Sequence, residues 1–158
     1  MARIHPVDTI GDAIATLIRA ARASYSPALK VVDYDEFWQY QATKTKLDAR
    51  LPGCFIQLDE GSIATARSGD QDGTVRYRIN HVFPLTDAGN YPTQGTGYIR
   101  KTLELLSANE DFDLSIDAAG FEVQHCAPVE FGLSDELMEF GLAWASVTVE
   151  IVYTSLYT

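Results

Sequence analysis

The sequence predicts an α+β domain: an antiparallel sheet of about five strands with two helices packed on one face. Two observations carry most of that expectation. Leu142–Tyr153 (LAWASVTVEIVY) alternates strictly, with Ala143, Ala145, Val147, Val149, Ile151 and Tyr153 on one side and Ser146, Thr148 and Glu150 on the other. Successive side chains leave opposite faces of a pleat, so this period of two belongs to a strand with one buried face. By contrast, Val7, Ile10, Ile14, Leu17, Ile18 and Ala21 recur at three- and four-residue steps, the signature of an amphipathic helix.

In chain order, the first helix opens near Pro6, whose fixed φ suits a first turn. Asp8 and Asp12 complement the positive end of its dipole, and Arg19 and Arg22 the negative end. Ser24, Ser26 and Pro27 stop it, and a short strand is expected around Leu29–Tyr34. Asp35–Leu51 groups Phe37, Trp38 and Tyr40 ahead of Lys44, Lys46 and Arg50 without clean periodicity. Such a cluster suits a packed loop or short helix, a protein–protein contact, or stacking on single-stranded nucleic acid.

Pro52-Gly53 turns the chain into a strand with Cys54, Ile56 and Leu58 on one face. The polar stretch Ser62–Gly73 reads as a hairpin tip, and its Asp70-x-Asp72-Gly73 lacks the further acidic ligands of a calcium loop. Thr74–Phe83 is a second clean strand, with Val75, Tyr77, Ile79, His81 and Phe83 facing the core. Thr86–Gly97 reads as a glycine-rich loop ahead of a helix over Tyr98–Ala108. It matches neither the P-loop nor the dinucleotide fingerprint. An acidic connection, Asn109–Gly120, leads to a strand from Phe121 to about Glu130. Leu133–Gly141 then forms a hairpin with Asp135, Glu136 and Glu139 at its tip. No repeat or domain linker interrupts residues 1–158, so a single domain is expected.

The formal charge is −10, which argues against a protein that grips phosphate backbones. Its distribution is uneven. From Lys101 onward that lysine is the one basic residue against eleven acidic ones, so the excess accounts for the whole formal charge. No apolar run approaches the roughly 20 residues of a membrane helix. Asp8 and Asp12 interrupt any leader-like apolar run, and Cys54 and Cys126 have no metal spacing. A cytosolic chain with two reduced, buried thiols is expected.

Motifs of catalysis are missing. His5, His81 and His125 have no ligand spacing, and His81 and His125 fall on the apolar phase of their strands, where core histidines are expected. There is no G-x-S-x-G elbow, no H-E-x-x-H helix and no Cys/His/Asn arrangement. No enzyme activity, metal or cofactor is therefore expected. The alternative is a small α+β enzyme or ligand-binding domain using residues 86–101, with Arg100 or Lys101 beside the glycine-rich loop.

The order of these elements, through LPGCFIQLDEG, TVRYRINHVFPL, GYIRKTLELL and AWASVTVEIVY, resembles the tail-terminator (tail-completion) proteins of long-tailed bacteriophages, notably those of Mu-like phages and prophages. The resemblance implies a virion tail protein, assembled in the cytoplasm of the bacterial host. It would form a ring, usually a hexamer, that caps the head-proximal end of the tail tube, stops polymerisation and offers the head a docking surface. Its partners would be further copies of itself, the tail-tube protein and the head–tail connector, with DNA passing through but not specifically bound. A head-completion or tube subunit would have similar composition. On this view Phe37, Trp38 and Tyr40 are candidates for a contact between subunits or with the tube. Glu110, Asp111, Asp113, Asp117, Asp135, Glu136 and Glu139 are candidates to line the DNA passage, since a negative wall repels phosphate.

Overall fold

A computed structural model describes residues 6–34, 50–65, 71–85, 90–109, 121–134 and 141–155. Helix α1 (Pro6–Ala20) is followed by a 3-10 turn (Arg22–Ser24) and strand β1 (Val31–Tyr34). Strands β2 (Gly53–Thr65) and β3 (Gln71–Pro84), helix α2 (Asn90–Ala108), and strands β4 (Phe121–Ser134) and β5 (Leu142–Ser155) complete the order. The five strands form one sheet in the order β1-β2-β3-β5-β4. Three of the four pairings are antiparallel; β1 runs parallel to β2. The expected α+β class holds, with one parallel pair where an all-antiparallel sheet was expected. Four residues of β1 carry a pattern but no directional signal, so nothing in them distinguishes the two orientations.

Both helices cover the same face, α1 over β1 and β2 and α2 over β4 and β5. Ile10, Ile14 and Ile18, one per turn of α1, are fully buried, as their spacing requires. Beneath them the sheet contributes the odd-numbered residues of β5 from Ala143 to Tyr153 and the alternating set Val75, Tyr77, Ile79, His81 and Phe83 of β3. Burying Val147, Val149 and Ile151, each 0% exposed, contributes roughly 1.5–3 kcal/mol apiece before conformational entropy is charged. The opposite face carries a smaller cluster at one end, Leu51, Phe55, Val82 and Leu142, with Val31 and Trp144 against it.

Three boundaries depart from the sequence expectation. The polar hairpin tip shrinks, because β2 and β3 keep pairing out to Thr65 and Gln71. Helix α2 starts at Asn90, two turns before Tyr98, so most of the expected glycine-rich loop is helix. Gly95 explains that choice: it is buried, and a Cβ there would run into Leu133 with Phe83 and Ala145 close behind. A residue without a side chain lets the helix lie directly on the sheet, at a propensity cost of about 1 kcal/mol relative to Ala.

The third departure concerns His125. A register shift between Val123 and His125 inserts a bulge at Gln124. Each residue after a bulge moves to the other face, so Cys126 enters the core and His125, paired with Val152, is exposed. His125 is therefore not the core histidine its strand phase suggests.

Candidate assembly surface

The sheet has two outer margins. On one side β1 pairs only with Gly53–Ile56, so Gln57–Thr65 of β2 has no strand beyond it among the described residues. On the other, β4 pairs with β5 and no described strand lies outside it. All the exposed large apolar side chains of the described residues sit on these two strands: Leu58 and Ile63 on β2, and Val129, Phe131 and Leu133 on β4. Phe131 is 64% exposed and Ile63 60%. An edge with no described neighbour and exposed apolar side chains is one on which a further strand can pair.

The register fixes which way these residues point. Phe131 faces Val147 and Leu133 faces Ala145, so both belong to the helix-bearing side of the sheet, Leu133 partly under Gly95 of α2 and Phe131 more exposed at 64%. Leu58 faces Tyr77 and Ile63 faces Gly73, which puts them on that same side at the far margin. There Leu58 and Ile63, with Val7, Val75 and Tyr153, wall a pocket of about 350 Å³ that also takes in Gly61, Ser62 and Thr74. Irregularities between Leu58 and Glu60 and between Pro128 and Glu130 give both edges extra twist.

The sheet's other face is polar along its middle. Arg76 on β3 reaches Glu150 on β5 at 2.9 Å and Glu60 on β2 at 3.4 Å, while Arg78 reaches Asp59 at 3.7 Å. The hydrogen bond from its Nε–H to Glu150 is the largest factor holding the Arg76 charge in place, and its pKa is raised accordingly.

Inside the core lies one group of residues with chemical potential. Cys54 and His81 stand directly opposite each other across β2 and β3, both fully buried. Thr102 Oγ1 on α2 lies 2.7 Å from His81 Nε2 and 2.9 Å from Tyr25 Oη, and the imidazole is flanked by the rings of Tyr25 and Tyr98 at 5.4 Å each. Tyr98 donates to the carbonyl of Pro27 at 2.9 Å and accepts from Gln94 at 3.0 Å. Burial lowers the His81 pKa to about 3 and pushes the Cys54 thiol and the Tyr25 phenol well above their ordinary values. All three groups are thus neutral, the opposite of the thiolate–imidazolium pair that nucleophilic catalysis uses. The cluster ties α2 and the 3-10 region to the sheet, and His81 is the satisfied core histidine its phase implies, save for an Nδ1 with no hydrogen-bond partner.

Of the glycine-rich loop expected beside Arg100 and Lys101, residues 90–97 are helical and residues 86–89 lie outside the described residues. The groove that does involve Arg100, with Leu103, Glu104, Ser107 and Ala108, follows the surface of α2. Among the described residues no cluster of His, Cys, Asp and Glu has the makings of a metal site, and no helix is long and apolar enough to cross a membrane. Both cysteines are buried thiols outside any disulfide, as expected.

The candidates named from the sequence, Phe37, Trp38 and Tyr40 and the acidic Glu110, Asp111, Asp113, Asp117, Asp135, Glu136 and Glu139, lie outside the described residues. The sequence reading passed over Val129, Phe131 and Leu133, although they alternate with Glu130 and Gly132 in the way a half-buried strand does. Their alternation was visible; that they stay exposed at a margin of the sheet was not.

No protein-family model matches the chain, and no curated protein matches it in sequence.

Proposed function

We propose that this protein is a structural ring subunit of the tail-terminator type. It caps the head-proximal end of a bacteriophage tail tube, stops tube growth and presents a docking surface to the head. The observation that carries the reading is the pair of sheet margins, Gln57–Thr65 and β4, which hold the exposed apolar side chains of the described residues. A ring is the assembly in which two such unlike edges are both used and none is left over. The buried neutral Cys54–His81 pair gives no support to a catalytic reading.

The acidic excess after Lys101 fits the same role. Duplex DNA slides through a terminator ring at ejection, and carboxylates at Glu110, Asp111, Asp113, Asp117, Asp135, Glu136 and Glu139 would keep phosphates from adhering to the wall. Phe37, Trp38 and Tyr40 are assigned to the contact with the tube or a neighbouring subunit.

Size-exclusion chromatography with light scattering, followed by electron microscopy of the protein mixed with tail tubes, tests the proposal. A closed oligomer seated at one tube end is the expected result. A monomer at every concentration that leaves tube ends bare would overturn it, and incorporation along the tube would make it a tube subunit instead. For the lumen, Lys substitutions at Asp111, Asp135 and Glu136 should slow ejection in a salt-sensitive way, because added cations bind passing phosphates more tightly as salt falls. Ejection unchanged at every salt concentration would return these residues to an ordinary solvated surface.

A further inference from the structure

We infer that copies of this chain join head to tail, with Phe131 of one copy seated in the Leu58–Ile63–Val75–Tyr153 pocket of the next. The inference rests on the ring reading and names the contact that would build it. Phe131 is a protruding aromatic on one margin of the sheet, and the pocket is a mainly apolar recess of about 350 Å³ on the other margin and the same face. An aromatic anchor filling a pocket is the usual energetic centre of an interface. When knob and pocket occupy different parts of one molecule, the contact is heterologous, and it propagates until a rotation closes it.

Charge favours this arrangement over β4 meeting β4. Along β4 the side chains alternate, so Glu130 (paired with Thr148) points to the opposite face from Phe131. On that face the margin of β2 is backed by Arg76 and Arg78, whose side chains are 38% and 46% exposed and which already balance Glu60 and Asp59. A Phe131 seated in the pocket therefore brings Glu130 to a surface of mixed sign, two arginines among Asp59, Glu60 and Glu150. A symmetric β4–β4 contact would instead set the acidic strand, with Glu122 and Glu130, against itself and leave the pocket empty.

Area decides the product. The open part of β2, Gln57–Thr65, is roughly 30 Å long at ~3.4 Å per residue, and a sheet layer is ~10 Å thick, so one edge covers on the order of 300 Å² per copy. A standard stable interface buries about 800 Å² per partner. One such contact is weak alone, while a closed ring engages both margins of every copy. The register adds a stagger: Phe131 is level with Val147, whereas the pocket runs from the level of Val149 to that of Tyr153. Neighbours are thus offset by two to six residues along the strands, which inclines the strands to the ring axis as in a closed barrel.

The test uses the full chain. Phe131→Ser and Ile63→Lys change exposed residues, so circular dichroism and melting should match the wild type while light scattering falls from the ring to the mass of a single chain. Separately, Phe131→Cys and Ile63→Cys chains are mixed under mild oxidation, the native thiols being buried. A disulfide-linked dimer in the mixture, with little in either variant alone, is expected. Cross-linking of Phe131→Cys to itself would overturn the head-to-tail contact. So would a ring that survives Phe131→Ser, although the ring reading would then stand. A wild-type chain that stays monomeric, including at tube ends, would remove both.

Discussion

His81 Nε2 lies 2.7 Å from Thr102 Oγ1, a buried hydrogen bond that ties β3 to α2 beside the ring contacts of Tyr98 with His81 and Phe83. Tyr25 shares the same hydroxyl at 2.9 Å. A threonine hydroxyl has one proton to give and two lone pairs, so both neighbours can be satisfied at once. A protonated imidazole would be poorly accommodated, because its other nitrogen, Nδ1, is buried with no hydrogen-bond partner to accept its N–H.

Acid should therefore unfold the protein partly through this residue. The folded-state pKa of about 3 lies below the ordinary 6.5, so the unfolded chain binds the proton more tightly. Stability from this group is complete above about pH 6.5 and is lost progressively as the pH falls toward 3, by a total on the order of a few kcal/mol. Urea midpoints measured from pH 7 to pH 4 should fall for the wild type. His81→Gln should lack that share of the slope, leaving only the part due to carboxylates.

Thr102→Val keeps the shape of the side chain and removes the hydroxyl. Two buried polar groups, Tyr25 Oη and His81 Nε2, would lose the partner they share. The expected loss is about 1–3 kcal/mol in urea unfolding, with Thr102→Ser retaining most of it. Equal stability for both variants would mean that water replaces the hydroxyl.

Neighbouring residues of β5 should respond in opposite ways. Val149 is fully buried, and Val149→Asp places an unpaired charge in the central strand, which should prevent accumulation of folded protein. Glu150→Gln faces solvent and gives up an ion pair with Arg76 whose side chains are 29% and 38% exposed, so solvent screening should leave stability nearly unchanged. Thermal melts of the two, side by side, check the phase of the strand.

A similar contrast applies to two glycines. A Cβ at Gly73 would meet the ring of Tyr153 head-on, and that ring is buried, so Gly73→Ala should cost about 1–3 kcal/mol. Gly132 has nothing within 4 Å of the added carbon. Gly132→Ala should be neutral or stabilising by up to about 1 kcal/mol, since Ala gives up less chain entropy on folding. Denaturant titration of both variants decides the matter.

The sequence was most legible where one periodicity ran uninterrupted. Leu142–Tyr153 and Thr74–Phe83 each hold a single phase from end to end, and every odd residue from Ala143 to Tyr153 is buried as that phase demands. Where a bulge intervenes, the phase of one half misreads the other, which is how His125 was misplaced. Gly95 and Gly97 disguise the first turns of α2 as a loop, and the packing that makes glycine useful at Gly95 involves Leu133, far away in the chain. The pairing of Cys54 with His81 depends on the register between two strands, and periodicity within each strand leaves that register open. The same holds for the candidate surface: alternation identifies Phe131 and Ile63 as apolar strand residues, but only the strand order makes them margins.

That strand order also sets a timetable for synthesis. β3 pairs with β2 on one side and with β5 on the other, and its contact of Val75 with Ile151 spans about half the chain. A ribosome that has just added Pro84 must add 57 more residues before it reaches Leu142, about 3–12 s at ~5–20 residues per second. Throughout that interval the nascent hairpin holds Tyr77, Ile79 and Phe83 beside an unfilled lane, and β4 emerges before the strand that will separate it from β3. A chain interrupted before β5 thus lacks the middle of its sheet, not a flank, and should be an early client of chaperones and proteases.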